Sequence, residues 1–226
     1  TDGWYISVKQ IIDSSDGTGG AIMDTRILTI DMGDTGTLTF AGTGGSTALS
    51  AIDDVTPTAG EESWDDVTSA SAIPAMGGGN NSFHYSNSSM MDDLTITAAY
   101  VPSDGTTEIE SSTDYAVKYT GITDGLTIGA SYNEMDKQGA AKMNQTAESG
   151  AYYGVYTIGN LSVGYSKAMR ADMVADGSLS STTEVESYDQ SNMSAAFAFN
   201  DDLTISYEVE KSSKTFQLDS VADIEQ

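Results

Sequence analysis

Cysteine is absent from the 226-residue chain. There is therefore no disulfide framework and no thiolate zinc site. Basic residues are nearly as scarce, with nine Lys and Arg against 34 Asp and Glu and a formal net charge of -25. A phosphate backbone is held by clustered Lys and Arg, so nucleic acid is excluded as a partner. Docking on an anionic cytoplasmic leaflet is disfavoured for the same reason. One histidine, His84, leaves no His-based triad and no His-cluster metal site. Prolines number three, and no run of 18 apolar residues occurs, so no helix can cross a membrane. The opening Thr1-Asp2-Gly3-Trp4 shows no signal-peptide pattern. A mean hydropathy of -0.26 reads as soluble. A β-barrel, however, hides its apolar side chains at every second position and defeats that average.

What is abundant is Gly (23 residues), with much Thr, Ser and Tyr, a composition that suits strands and turns. The stretch "DDLTITAAY" (92–100) alternates strictly, with Leu94, Ile96, Ala98 and Tyr100 on one side. It returns as "DGLTIGASY" (124–132), "GNLSVGYS" (159–166) and "DDLTISYEV" (201–209). Period-2 alternation predicts strands with two unlike faces. Strands leaving a short connection are predicted at Trp4–Ile12, Thr37–Ala41, Leu94–Val101, Leu126–Asn133, Leu161–Lys167 and Leu203–Glu210. Strands running the other way are predicted at Thr25–Met32, Ser82–Ser86, Asp114–Thr120, Tyr152–Ile158 and Asn192–Phe199. A twelfth is expected to begin in "TFQLDSVADIEQ".

The connections alternate short and long along the whole chain. Short ones are 33–36, 87–93, 121–125, 159–160 and 200–202; long ones are 13–23, 42–81, 102–113, 134–151 and 168–191. A meander with all its long loops at one end is the layout of an outer-membrane barrel. The face opposite Leu94, Ile96 and Tyr100 carries Thr95, Thr97, Asp114, Ala116, Lys118, Ser131 and Glu208, which suggests a wet interior. Tyr100, Tyr132, Tyr165 and Tyr207 fall late in strands that leave a short turn, the position of an interfacial aromatic girdle. A soluble sandwich or jelly roll also uses alternating strands and Gly-rich turns. Its core, though, wants bulky residues where this chain keeps Ala.

Three stretches carry a resemblance: "DTRILTIDMGDTGTLTFAGT" (24–43), "GGNNSFHYSN" (78–87) and the repeated "DGLTIGASY" starts. In their order and spacing the chain resembles the general diffusion porins of Gram-negative outer membranes, in their alphaproteobacterial form. The resemblance implies a transmembrane antiparallel up-and-down β-barrel of the 16-stranded type, of which about 11–12 strands are present here. It also implies a homotrimer in the bacterial outer membrane and a passive pore for small hydrophilic solutes. The chain is read as one partial barrel domain over 1–226, an internal portion of a longer protein. Its long loop, at about 43–81, is expected to fold inward as a constriction.

That loop carries Asp53, Asp54, Glu61, Glu62, Asp65 and Asp66. A loop of such length is unusual unless it is functional. Acids around a water-filled constriction enrich cations and repel anions, so a cation-preferring pore is expected. In the family, acids on the loop oppose arginines on the wall, and Arg26 matches the Thr-Arg position. Ala75 stands where one loop acid is expected. Lys9, His84 and Lys118 join Arg26 as expected basic wall residues. The pairs Asp53-Asp54 and Asp65-Asp66 could serve as general acid and base, but no partner converges on them, and no enzyme activity is expected. A barrel protease of the omptin type would need a His near the rim. No cofactor is required, although "DSSDGTGG" (13–20) and "PSDGTTEIE" (102–110) offer oxygen ligands suited to Ca2+ or Mg2+. Expected partners are small solutes, cations and outer-membrane lipid or lipopolysaccharide. The competing reading is a soluble all-β surface or adhesin domain.

Overall fold

A computed structural model describes residues 3–12, 23–51, 55–58, 80–103, 111–135, 143–145, 147–171, 174–175, 185–218 and 222–225. The strands in chain order are β1 (Tyr5–Ile12), β2 (Met23–Asp31), β3 (Thr37–Thr43), β4 (Ser82–Asn87), β5 (Leu94–Val101), β6 (Ser112–Tyr119) and β7 (Leu126–Met135). There follow β8 (Met143–Gln145), β9 (Ala147–Ile158), β10 (Leu161–Ala171), β11 (Val174–Ala175), β12 (Val185–Asn200), β13 (Leu203–Phe216) and β14 (Ile224–Glu225).

All but β8 and β11 form one sheet, in which each strand pairs antiparallel with the next; those two form a separate small ladder. The sheet is an up-and-down meander, the form that short turns between alternating strands permit. Among the described residues β1 pairs only with β2, and β14 only with β13. Most turns at one end use the left-handed backbone. Gly125 (φ 80°) closes the hairpin from β6 to β7, and Gly159 (φ 58°) the hairpin from β9 to β10. At Gly125 a side chain is excluded twice over, because a Cβ there would lie 2.1 Å from the Thr157 carbonyl oxygen.

The eleven predicted strands are all present, and Leu94–Val101 matches to the residue. The differences gather at the long-loop end. β9 begins at Ala147 rather than Tyr152, β10 runs on to Ala171, β12 starts at Val185 rather than Asn192, and β13 continues to Phe216. Stretches such as "VESYDQS" have no apolar alternation. Their extended form comes from the ladders on either side, since β12 pairs with β10 from Tyr188 onward and with β13 from Val185 onward, with one irregularity between Val185 and Ser187. Among the described residues the expected twelfth strand comprises the two residues of β14, and Phe216 belongs to β13.

Directly paired residues share a face, so the registers sort every strand into two faces. One row of the outer face runs Leu94–Tyr119–Ile128–Gly154–Tyr165. Another joins Ala98, Tyr115 and Tyr132. Tyr132 thus shares a row with Ala98, two residues before Tyr100, and Tyr165 shares one with Leu94, six residues before it. A stagger that grows with each strand crossed is what tilted barrel strands require of side chains at one level along the axis.

Candidate functional site

The two faces have the reverse of ordinary polarity. The outer face presents Ile6, Met193, Ile205 and Tyr207 to the surroundings, with Tyr207 73% exposed. On the inner face, Ser82, Asp114, Asn133, Ser149, Ser166 and Asn192 are buried together with the small residues Ala99, Ala116, Ala151 and Ala168. Side-chain oxygens of Ser131, Ser166, Gln190, Ser194 and Ser212 are buried without a hydrogen-bond partner among the described residues. Leaving such a group dry costs about 1–3 kcal/mol. Rows of hydroxyls and amides on one face are therefore suited to water.

The segment following β3 covers part of this inner face. Gly44 N–H donates to Asn80 Oδ1 at 2.9 Å, tying the start of the segment to the residue two before β4. Thr47 Oγ1 and its carbonyl accept from Ser50 N–H (3.3 Å) and Oγ–H (2.6 Å), which fixes a 3₁₀ turn at Leu49–Ala51. Ala48 N–H donates to Asp114 Oδ1 at 2.7 Å, pinning the turn to β6. Ala48 is fully buried and packs in a cluster with Ala116, Ala151, Tyr153, Ala168, Val185 and Tyr188, with Val55 against it. Glycine makes room for this packing. A Cβ on Gly164 would lie 2.4 Å from Pro57 Cδ, and one on Gly129 would lie 2.3 Å from the Tyr153 ring. Among the described residues the core is thus thin, lying between the inner sheet face and the residues around Ala48 and Val55.

Of the expected site residues, Asp53, Asp54, Glu61, Glu62, Asp65 and Asp66 lie outside the described residues, as do Ala75, stretch 13–20 and residues 104–110. Lys9, His84 and Lys118 stand on the inner face, on β1, β4 and β6; the rows they occupy differ, and no cluster forms. Arg26 does not join them. It pairs with Gln10 two residues along from the Val8–Leu28 pair, and so shares the outer face with Leu28 and Phe40. Its Nε and Nη2 donate to Thr43 Oγ1 at 3.2 and 2.9 Å. A bulge could have turned Arg26 inward only if it lay in β2 between Arg26 and Leu28. The irregularities lie elsewhere, at Gly42 on the partner strand and at Asp24 ahead of Arg26, and both leave the alternation of β2 from Arg26 to Asp31 intact.

The inner row of His84 also holds residues that lie outside the predicted strands or beyond the expected site. It runs His84–Ala99–Asp114–Asn133–Ser149–Arg170–Tyr188–Lys214. Lys214 Nζ lies 5.4 Å from the Tyr188 ring centroid and 5.2 Å from that of Phe216. Arg170 and Lys214 continue the inner phase of Ser166 and Glu210 past the point where the apolar alternation stops, and extending that phase would have found them. Asn192 Nδ2 donates to Glu208 Oε1 on the neighbouring strand. The described inner wall thus mixes the acids Asp31, Asp114, Glu208 and Glu210 with the bases Lys9, Lys118, Arg170 and Lys214. No three His, Asp or Glu side chains converge as metal ligands among the described residues.

No family model matches the sequence, and no curated protein matches it. Solved structures do match. One is a refined porin structure, 14% identical, with a TM-score of 0.58, covering 98% of this chain and 78% of its own. Another is OmpT, an outer membrane protein of Vibrio cholerae, 14% identical, with a TM-score of 0.60, covering 90% of this chain and 62% of its own. This chain therefore spans less than two thirds of the second protein. At such identities the likeness speaks of the fold, and the fold is that of the outer-membrane β-barrels.

Proposed function

We propose that the protein is a porin of the bacterial outer membrane, a non-enzymatic channel through which small hydrophilic solutes diffuse passively. The observation that carries this reading is the inverted polarity of the sheet. Exposed Ile, Met, Phe and Tyr line the outer face, and buried Ser, Asn and Gln line the inner one. Water outside and a dry core inside would make both faces costly. Hydrocarbon outside and water inside suit both. The segment around Ala48, held on the inner wall, supports a narrowed passage. The resemblance to general diffusion porins supports a homotrimer and contact with lipopolysaccharide.

The described wall carries both signs of charge, so a preference for cations rests on Asp53, Asp54, Glu61, Glu62, Asp65 and Asp66. Hard cations such as Ca2+ or Mg2+ could bridge the acidic outer stretches at 13–20 and 102–110. The deciding experiment is single-channel recording in a planar bilayer under a KCl gradient. Stable steps with a cation-selective reversal potential are expected, and neutralising Glu61, Glu62, Asp65 and Asp66 should reduce that selectivity. Protein that stays soluble without detergent and never inserts would favour a soluble surface domain instead.

A further inference from the structure

The outer face of β10, β12 and β13 changes character in three successive rows. Tyr165, Met193 and Val209 form one directly paired row and are apolar. Lys167, Ser191 and Lys211 form the next, one step toward the long-loop end. Asp189, Ser213 and Glu225 belong to the third, opposite Met169. Below the lysine row lies an apolar hollow of about 580 Å³, bounded by Tyr156, Tyr165, Met193, Tyr207 and Val209 and opened by the small Gly154 and Ala195. At the lysine row is a second hollow of about 310 Å³, lined by Lys167, Lys211, Asp189, Glu225 and the serines between them.

From this layering we infer a binding site for one membrane lipid, a phospholipid whose phosphodiester is followed by a primary ammonium. The inference rests on the reading of the outer face as lipid-facing. The acyl chain fills the apolar hollow, where it replaces mobile lipid at little cost because the hollow is preformed. Lys167 and Lys211 stand two strands apart, about 10 Å between backbones, with the Ser191 hydroxyl between them. Long flexible ammonium arms on either side of a hydroxyl suit a phosphate, which Lys binds as a point charge. The carboxylates of Asp189 and Glu225 lie one row further from the apolar band, where a terminal ammonium beyond the phosphate would sit. Lys167 already meets Asp189 at 3.8 Å, with the two side chains 43% and 36% exposed. An ion pair so open and so long holds little energy of its own, and it aims Lys167 rather than neutralising it. Two lysines in one outward row stand out in a chain with nine basic residues, and their place just past the apolar band is the headgroup level. Tyr152, paired with Lys167 and 6.4 Å from the Tyr165 ring, adds aromatic bulk at that level.

The test uses the full chain inserted in vesicles of equimolar phosphatidylethanolamine and phosphatidylglycerol. Insertion is checked by protection from added protease, and lipid retained after gentle solubilisation is counted by native mass spectrometry. Phosphatidylethanolamine should be retained about tenfold over phosphatidylglycerol. The double variant Lys167→Gln/Lys211→Gln should lower retention of both lipids about tenfold, the scale of one charge-assisted hydrogen bond. Asp189→Asn/Glu225→Gln should leave retention intact but erase the preference. Equal retention of the two lipids by the wild type, or a double lysine variant that holds lipid as well as the wild type, would overturn the site while insertion persisted. Failure of the wild type to insert would overturn the lipid-facing reading, and the site with it.

Discussion

Asp114 is the group on which the covering segment depends most directly. The residue is 2% exposed, and its carboxylate accepts Ala48 N–H at 2.7 Å. The Ala99 backbone N–H also reaches it. Asp114→Ala removes a hydrogen bond to a charged group, worth about 1.5–3 kcal/mol, and strands the Ala48 N–H in a buried place. At about 1.4 kcal/mol per tenfold, the ratio of docked to undocked segment should fall roughly 10- to 100-fold. Hydrogen exchange on the reconstituted protein reads this locally. The amides of Ala48 and Leu49, both buried here, should lose protection by that factor while those of β10 and β12 keep theirs. Asp114→Asn retains a carbonyl acceptor and should lose less than tenfold. If the segment narrows the passage, single-channel conductance and current noise should rise in Asp114→Ala and much less in Asp114→Asn. Unchanged protection at Ala48 and Leu49 in Asp114→Ala, with the sheet intact, would refute the carboxylate as anchor.

The two faces give a second expectation. Ile205→Arg places a charge on the outward apolar band and should destabilise the folded protein in vesicles by about 2–4 kcal/mol. Its neighbour Thr204, exposed on the inner phase, should tolerate Arg within about 0.5 kcal/mol. Equal and small effects in denaturant titrations would count against a lipid-facing surface. A third concerns the turns. Gly159→Ala meets no atom within 4 Å and carries only the left-handed backbone penalty of about 1–2 kcal/mol. Gly125→Ala adds a Cβ 2.1 Å from the Thr157 oxygen and should cost clearly more, seen as a larger fall in unfolding midpoint.

Much of this protein could be read from the chain alone, because period-2 alternation and turn chemistry are local. Leu94, Ile96, Ala98 and Tyr100 declare a strand and its two faces without help from any neighbour, and Gly125 and Gly159 mark turns that need a left-handed backbone. The rhythm of short and long connections then orders the strands. What the chain could not supply was register, which depends on hydrogen bonds between residues far apart in sequence. Register places Lys167, Ser191 and Lys211 in one row, although 20 or more positions separate each from the next. It also leaves Arg26 on the outer face, since the extra residue at Gly42 falls on the partner strand. The upper ends of β12 and β13 are extended only because their neighbours are; Ser, Asp and Gln there carry no period of their own. The contact between Ala48 and Asp114 spans 66 positions. No local pattern announces it, because a carboxylate on an inner strand face becomes an anchor only when a distant N–H is folded against it.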